Sequence, residues 1–178
     1  MPFLSAYVPV LIEPDGSYRL TAQVVYKGRD DTFTVPAGFT TDLGSVPRWM
    51  TWLVPIQGVW DRATIIHDYL CVALQKVWGG EQDRAYLTGA DARDTDAILR
   101  RICRELGVPL VRRWLAWTGV RWGALLNPAR RVGWWRDAPA VLGISLLALP
   151  VIAPATVAVL ATLAVDTAVE AVVGRWAR

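Results

Sequence analysis

The sequence predicts an α+β fold: a small antiparallel sheet first, a helical layer after it, and a hydrophobic helix long enough to span a bilayer at the C-terminus. Three observations carry this. Strand-type alternation is confined to the first third of the chain, and helix-type periodicity with stop signals fills the middle. The last third holds 28 residues, Ala138 to Val165, without a charged side chain. Strands followed by helices, rather than alternating with them, imply an α+β layer and not a parallel sheet.

Taken in order, "AYVPVLIE" is β-rich and "PDGS" is a turn. "YRLTAQVVYK" alternates as a half-buried strand, and "GRDD" is a second turn. "TFTVPAGF" is a short extended segment that Pro36 pushes toward an edge. Thr40 to Trp49, "TTDLGSVPRW", reads as a loop, because Pro47 disfavours helix at Val46. Asp61 is a candidate N-cap for a helix to about Val77, stopped by "GGEQD". A second helix spans about Ala92 to Leu106, ended by Gly107 and Pro109, and a third covers Leu110 to Leu125. This divides the chain into an α+β domain over 1–137 and a hydrophobic tail over 138–178.

A bilayer core needs about 20 apolar residues in helix, so Ala138 to Val165 accommodates one span and not two. Pro150 and Pro154 would kink that helix or mark the bend of a re-entrant pair, and the chain after Asp166 reads as a frayed amphipathic tail. Arginines and paired tryptophans in "RRVGWWRD" suit an interface on the cytoplasmic side. The net charge of +3 is modest but unevenly spread. No acidic residue lies between Glu105 and Asp137, while Arg112, Arg113, Arg121, Arg130, Arg131 and Arg136 do. That asymmetry implies an anionic partner, and the Trp/Arg stripe of the third helix reads as a lipid-facing anchor rather than a specific nucleic-acid surface. Two cysteines, Cys71 and Cys103, define no disulfide framework, and no cluster has the spacing of a structural zinc site. "MPFLSAYVPVLIEPDG" lacks the basic start of a signal peptide.

The single histidine, His67, lies in "ATIIHDYLC" and is followed directly by Asp68. On a helix Thr64, His67 and Cys71 share one stripe, whereas Asp68 points about 100° away. Each of the adjacent pair therefore needs its own partner. Asp91, Asp94 and Asp96 on the second helix are candidates to accept the His67 N–H and fix its tautomer, as in a general base or a metal ligand. Asp68, together with Asp42 and carbonyls of the preceding loop, could then hold a hard cation such as calcium. The plainer reading is a hydrogen-bonded core histidine flanked by capping carboxylates. Ser45 lacks a nucleophile-elbow frame and reads as a turn hydroxyl.

In order and approximate spacing, "FTTDLGSVP" (Phe39 to Pro47), "HDYL" (His67 to Leu70), "RDTDAIL" (Arg93 to Leu99) and "GVRWG" (Gly119 to Gly123) resemble the DUF1353 family. Its pattern is close to F-x-T-D-x-x-S-V-P, H-D-x-L-Y, R-x-x-A-D and V-R-x-x-G, and the resemblance spans about Met1 to Gly123. It implies a small protein of tailed phages and prophages. The matching positions are Thr41, Asp42, Ser45, Pro47, His67, Asp68, Asp96 and Arg121, with Arg93 and Gly123 looser because their spacing differs. The chain departs from the pattern at Cys71, which replaces the tyrosine, and at Thr95, which replaces the alanine. The His-Asp pair with a remote aspartate is also similar to the centre of phospholipase A2. That likeness implies His67 as general base, Asp68 as a calcium ligand and Asp96 as the group orienting the imidazole. The glycine-rich calcium loop and the disulfides of that family are absent from the sequence.

The expected function is a membrane-associated or virion or tail structural protein, with a bilayer, anionic lipid or phage structural proteins as partners. Two enzymatic alternatives stand beside it: a calcium-assisted, phospholipase A2-like ester hydrolase, and a metal-dependent cell-envelope hydrolase.

Overall fold

A computed structural model describes residues 3–4, 7–44, 58–80 and 91–176. Five short strands come first: β1 (Val10–Ile12), β2 (Tyr18–Leu20), β3 (Val24–Lys27), β4 (Thr32–Val35) and β5 (Thr40–Thr41). Among the described residues, four helices come after them: α1 (Asp61–Trp78), α2 (Ala92–Glu105), α3 (Leu110–Ala124) and α4 (Ala138–Trp176), with a 3-10 turn at Trp134–Arg136 before the last. The architecture is α+β, as the order of patterns requires.

The strands form two antiparallel sheets, β1-β2-β5 and the hairpin β3-β4. Here the sequence misleads, because the run read as one strand from Tyr18 to Lys27 is two strands in different sheets. Leu20, Val24 and Tyr26 are all buried, so the alternation keeps its phase across the break at 21–23 and hides it. In the hairpin Val24 faces Val35 and Tyr26 faces Phe33, which puts the apolar residues of both strands on one side. β4 has β3 as its partner in this two-stranded sheet and stops at Pro36, consistent with an edge strand.

That apolar side packs on α1, whose Ile65, Ile66 and Leu70 are fully buried, and on Leu99 and Ile102 of α2. Asp61 is the first helical residue of α1 and not its N-cap: Trp60 takes that place without a side-chain bond. The Asp61 carboxylate reaches back to accept the Gly58 N–H at 2.7 Å. Asp91 is the cap of α2, accepting from the N–H groups of Arg93 and Asp94 while Asp94 accepts from the Asp91 N–H. This reciprocal capping box fixes where α2 begins. Its end is fixed by Gly107 at φ 79°, with the Val108 N–H bonded to the Cys103 carbonyl at 2.9 Å.

α4 is one continuous helix through Pro150 and Pro154, neither a re-entrant pair nor a frayed tail, since it runs on to Trp176. Beyond its first two turns its apolar residues face outward, with Leu146, Leu147, Val151, Val157 and Val165 each mostly exposed. The helix is long and apolar enough to cross a membrane.

Candidate functional site

α1 and α2 pack against each other, and this contact brings His67 to Asp96. The imidazole Nε2 lies 2.7 Å from Asp96 Oδ1, and both residues are buried. Of the three acidic candidates on α2, Asp91 and Asp94 are consumed by the cap, which leaves Asp96 on the inward face. The partition follows from periodicity: Asp96 lies with Thr95, Leu99 and Ile102 on the buried side.

Asp96 serves more than the histidine. Arg121 Nη1 donates to its Oδ2 at 2.9 Å, and Arg130 Nη2 donates to its Oδ1 at 2.7 Å. Burial opposes its charge, but the His67 bond and charge, with Arg130 and Arg121, hold the carboxyl down at about 2. Arg121 is completely buried, and its Nη2 lies 3.2 Å from Asp137 Oδ2. Asp137 in turn accepts from Arg93 Nη2 at 2.9 Å and Nε at 3.1 Å. A chain of alternating charges therefore runs from His67 through Asp96 and Arg121 to Asp137, the residue immediately before α4. The Arg121 carbonyl also accepts the Trp134 indole N–H at 2.6 Å, tying the 3-10 turn to α3.

On the other side of the ring, Asp68 Oδ1 lies 3.7 Å from His67 Nδ1. The adjacent pair is thus not fully divided between separate partners, because one carboxylate oxygen turns back toward the imidazole. Its second oxygen accepts the Thr41 hydroxyl at 2.5 Å, and Thr41 Oγ1 accepts the Leu43 N–H at 3.0 Å. Leu43 has a left-handed backbone with φ 58°, which costs a leucine conformational energy and marks a tightly specified turn. Asp42 closes the same turn by accepting the Gly44 N–H at 2.9 Å. Cys71, at the position of the family's tyrosine, places its sulfur 3.6 Å from Nε2 and 3.8 Å from Nδ1, nearly equidistant from both.

The surroundings favour the charged form of the ring. Burial acts against the charged ring, but the Cys71 sulfur, the nearby Asp68 carboxylate and the bond to Asp96 outweigh it and raise His67 above its ordinary value. Both ring nitrogens are turned toward carboxylates. Among the described residues no group of three or more His, Cys, Asp or Glu side chains is placed to hold a metal ion.

His67, Asp68, Asp96, Thr41 and Arg121 are brought together. Arg93 joins only through Asp137, Asp42 serves its own turn, and Ser45 and Pro47 lie outside the described residues. Thr95 is fully buried and its hydroxyl donates to the Asp91 carbonyl at 2.8 Å. Nothing lies near enough to Gly123 to require a glycine there. Sequence reasoning misses Arg130 and Asp137. Arg130 belongs to the acid-free arginine run, which as a pattern points wholly to an external anion. Two of those six arginines, Arg121 and Arg130, turn inward to Asp96 instead.

The profile of the family described as protein of unknown function (DUF1353) matches residues 18–120. The match covers more than half of the chain, and the protein belongs to that family. No curated protein and no solved structure matches it.

Proposed function

We propose that this is a membrane-associated structural protein, in which the charge network around Asp96 locks the DUF1353 domain and fixes it to the root of a bilayer helix. The carrying observation is the state of His67. A general base must be neutral, with one nitrogen open to substrate. Here the ring is buried, with Nε2 2.7 Å from Asp96 Oδ1 and Nδ1 facing Asp68, so neither nitrogen is open to a substrate, and its surroundings favour the charged form. The network also ends at Asp137, where the domain passes into α4, a position suited to holding a helix rather than to chemistry. α4 supports the membrane part of the reading by its length and apolar surface. A virion or tail setting is what the family resemblance adds, and the arginine-rich flank before α4 supports the domain lying on the cytoplasmic side in a cell.

The phospholipase A2-like alternative shares the 2.7 Å pairing of imidazole and remote acid, but its base needs a ring nitrogen open to water, and here the ring is buried with its other nitrogen turned toward Asp68. The test compares the wild type with His67→Ala and Asp96→Asn in detergent micelles. Lost or lowered melting transitions, without calcium-dependent fatty-acid release from the wild type, are expected. Release by the wild type that disappears in variants of unchanged melting temperature would replace the lock with an enzyme.

A further inference from the structure

We infer that the domain docks flush on the bilayer, seating a collar of apolar and cationic side chains around the root of α4 among anionic phospholipid headgroups. The inference rests on the reading of α4 as a membrane span. It adds where the span begins, and so what the domain surface must touch.

The first two turns of α4 belong to the domain. Val141 is fully buried, the Trp122 indole N–H donates to Ser145 Oγ at 3.0 Å, and Ser145 Oγ donates to the Val141 carbonyl at 2.7 Å. Among the described residues, Ser145 is the last of α4 to hydrogen-bond the domain. Beyond it Leu146 to Val165 are 20 residues without a charge, ended by Asp166. At 1.5 Å per residue they span about 30 Å, the thickness of a hydrocarbon core. The whole uncharged stretch from Ala138 is longer than that by about 12 Å, and the excess is the part already packed on α3. A span that fills the hydrocarbon from Leu146 to Val165 leaves Ser145 at its boundary, with no length for a flexible stalk.

The surface flanking that boundary fits a headgroup layer. Trp122 is itself partly exposed, and next to it on the chain Leu125 and Leu126 face outward, Leu126 being 89% exposed. Trp134 packs against Trp122 with ring centroids 5.4 Å apart and planes tilted by 50°, and its neighbours Val132 and Trp135 are exposed. Such an apolar patch is costly in water and suited to the interfacial layer, where tryptophan concentrates. Arg131 and Arg136 are exposed in the same segment. Its one acid, Asp137, is engaged by Arg93 and Arg121 and does not offset them. The net sign of the collar is positive, which selects anionic lipid.

Single cysteines at Leu126 and Val157, in a full-length Cys71→Ser, Cys103→Ser background whose melting matches the wild type, would carry an environment-sensitive fluorophore. The chain would be reconstituted in phosphatidylcholine–phosphatidylglycerol vesicles bearing nitroxide quenchers at the headgroup or mid-chain. Docking predicts headgroup-level quenching at Leu126 and mid-chain quenching at Val157. Mid-chain quenching at Val157 with a solvent-exposed label at Leu126 would overturn the docking and leave the span intact. No quenching at either site would overturn the membrane reading itself. Cross-linking between copies through Leu126→Cys would give the patch to a second chain and also overturn the proposal. Arg131→Gln with Arg136→Gln is expected to weaken partition of the detergent-free protein onto phosphatidylglycerol vesicles on the order of tenfold. Unchanged partition would overturn the anionic assignment.

Discussion

Asp96 is buried with His67, Arg121 and Arg130 all directed at it, so its charge is neutralised only while those three stay in place. Removing it leaves cations stranded in the interior. Asp96→Ala is expected to cost about 3–5 kcal/mol in urea unfolding of the micelle-solubilised chain, the usual loss when one member of a buried ion cluster is deleted. Asp91→Ala, which removes only the cap of the same helix, should cost about 1 kcal/mol. The pH dependence is set by the two shifts. His67 is raised above 6.5, so its contribution is complete below about 6.5 and fades as pH rises toward its higher folded value. Asp96 is lowered from 3.8 to about 2, so its contribution is complete above 3.8 and fades as pH falls toward 2. The urea midpoint should therefore be highest between about pH 4 and 6.5 and decline on both sides. A midpoint that rises from pH 6 to 8 would contradict the protonated ring.

At the scale of elements, helices are more legible than strands. α2 and α3 are bounded by local signals, such as the Asp91 capping box and Gly107 in the left-handed region, and these are written in adjacent residues. The division of Tyr18 to Lys27 between two sheets is not legible, because the buried positions stay in register and only pairing with β1, β5 and β4 separates them. The site is legible by halves. The inward face of α2 singles out one aspartate of three, but nothing local says that Arg130 folds back across more than thirty residues to reach it. Asp137 joins α2, α3 and the start of α4 through Arg93 and Arg121, so it is expected to matter beyond its partial exposure. Asp137→Asn should lower stability by about 1–3 kcal/mol, because Arg121 is buried and loses a charged partner. Arg93→Gln, at the exposed end of the same chain of charges, should cost under about 1 kcal/mol. A larger effect at Arg93 than at Asp137 in parallel urea titrations would reverse this order.

For the whole molecule, the position of the network explains why an ion cluster is kept where apolar packing would serve stability as well. A buried ionic group fixes one arrangement at the expense of alternatives, and here the arrangement fixed is that of α1, α2, α3 and the root of α4. The family match covers residues 18–120, and Arg130 and Asp137, which lie beyond it, bond to Asp96, Arg93 and Arg121 and so tie the chain before α4 to the matched region. The central claim is that His67 is a locked imidazolium and not a base awaiting a substrate. Because it is the only histidine, its ring nitrogens give unambiguous signals in a 15N-labelled sample of the full chain in micelles. At pH 7.5 both nitrogens are expected at protonated shifts; a neutral ring at that pH, titrating at or below 6.5, would contradict the account.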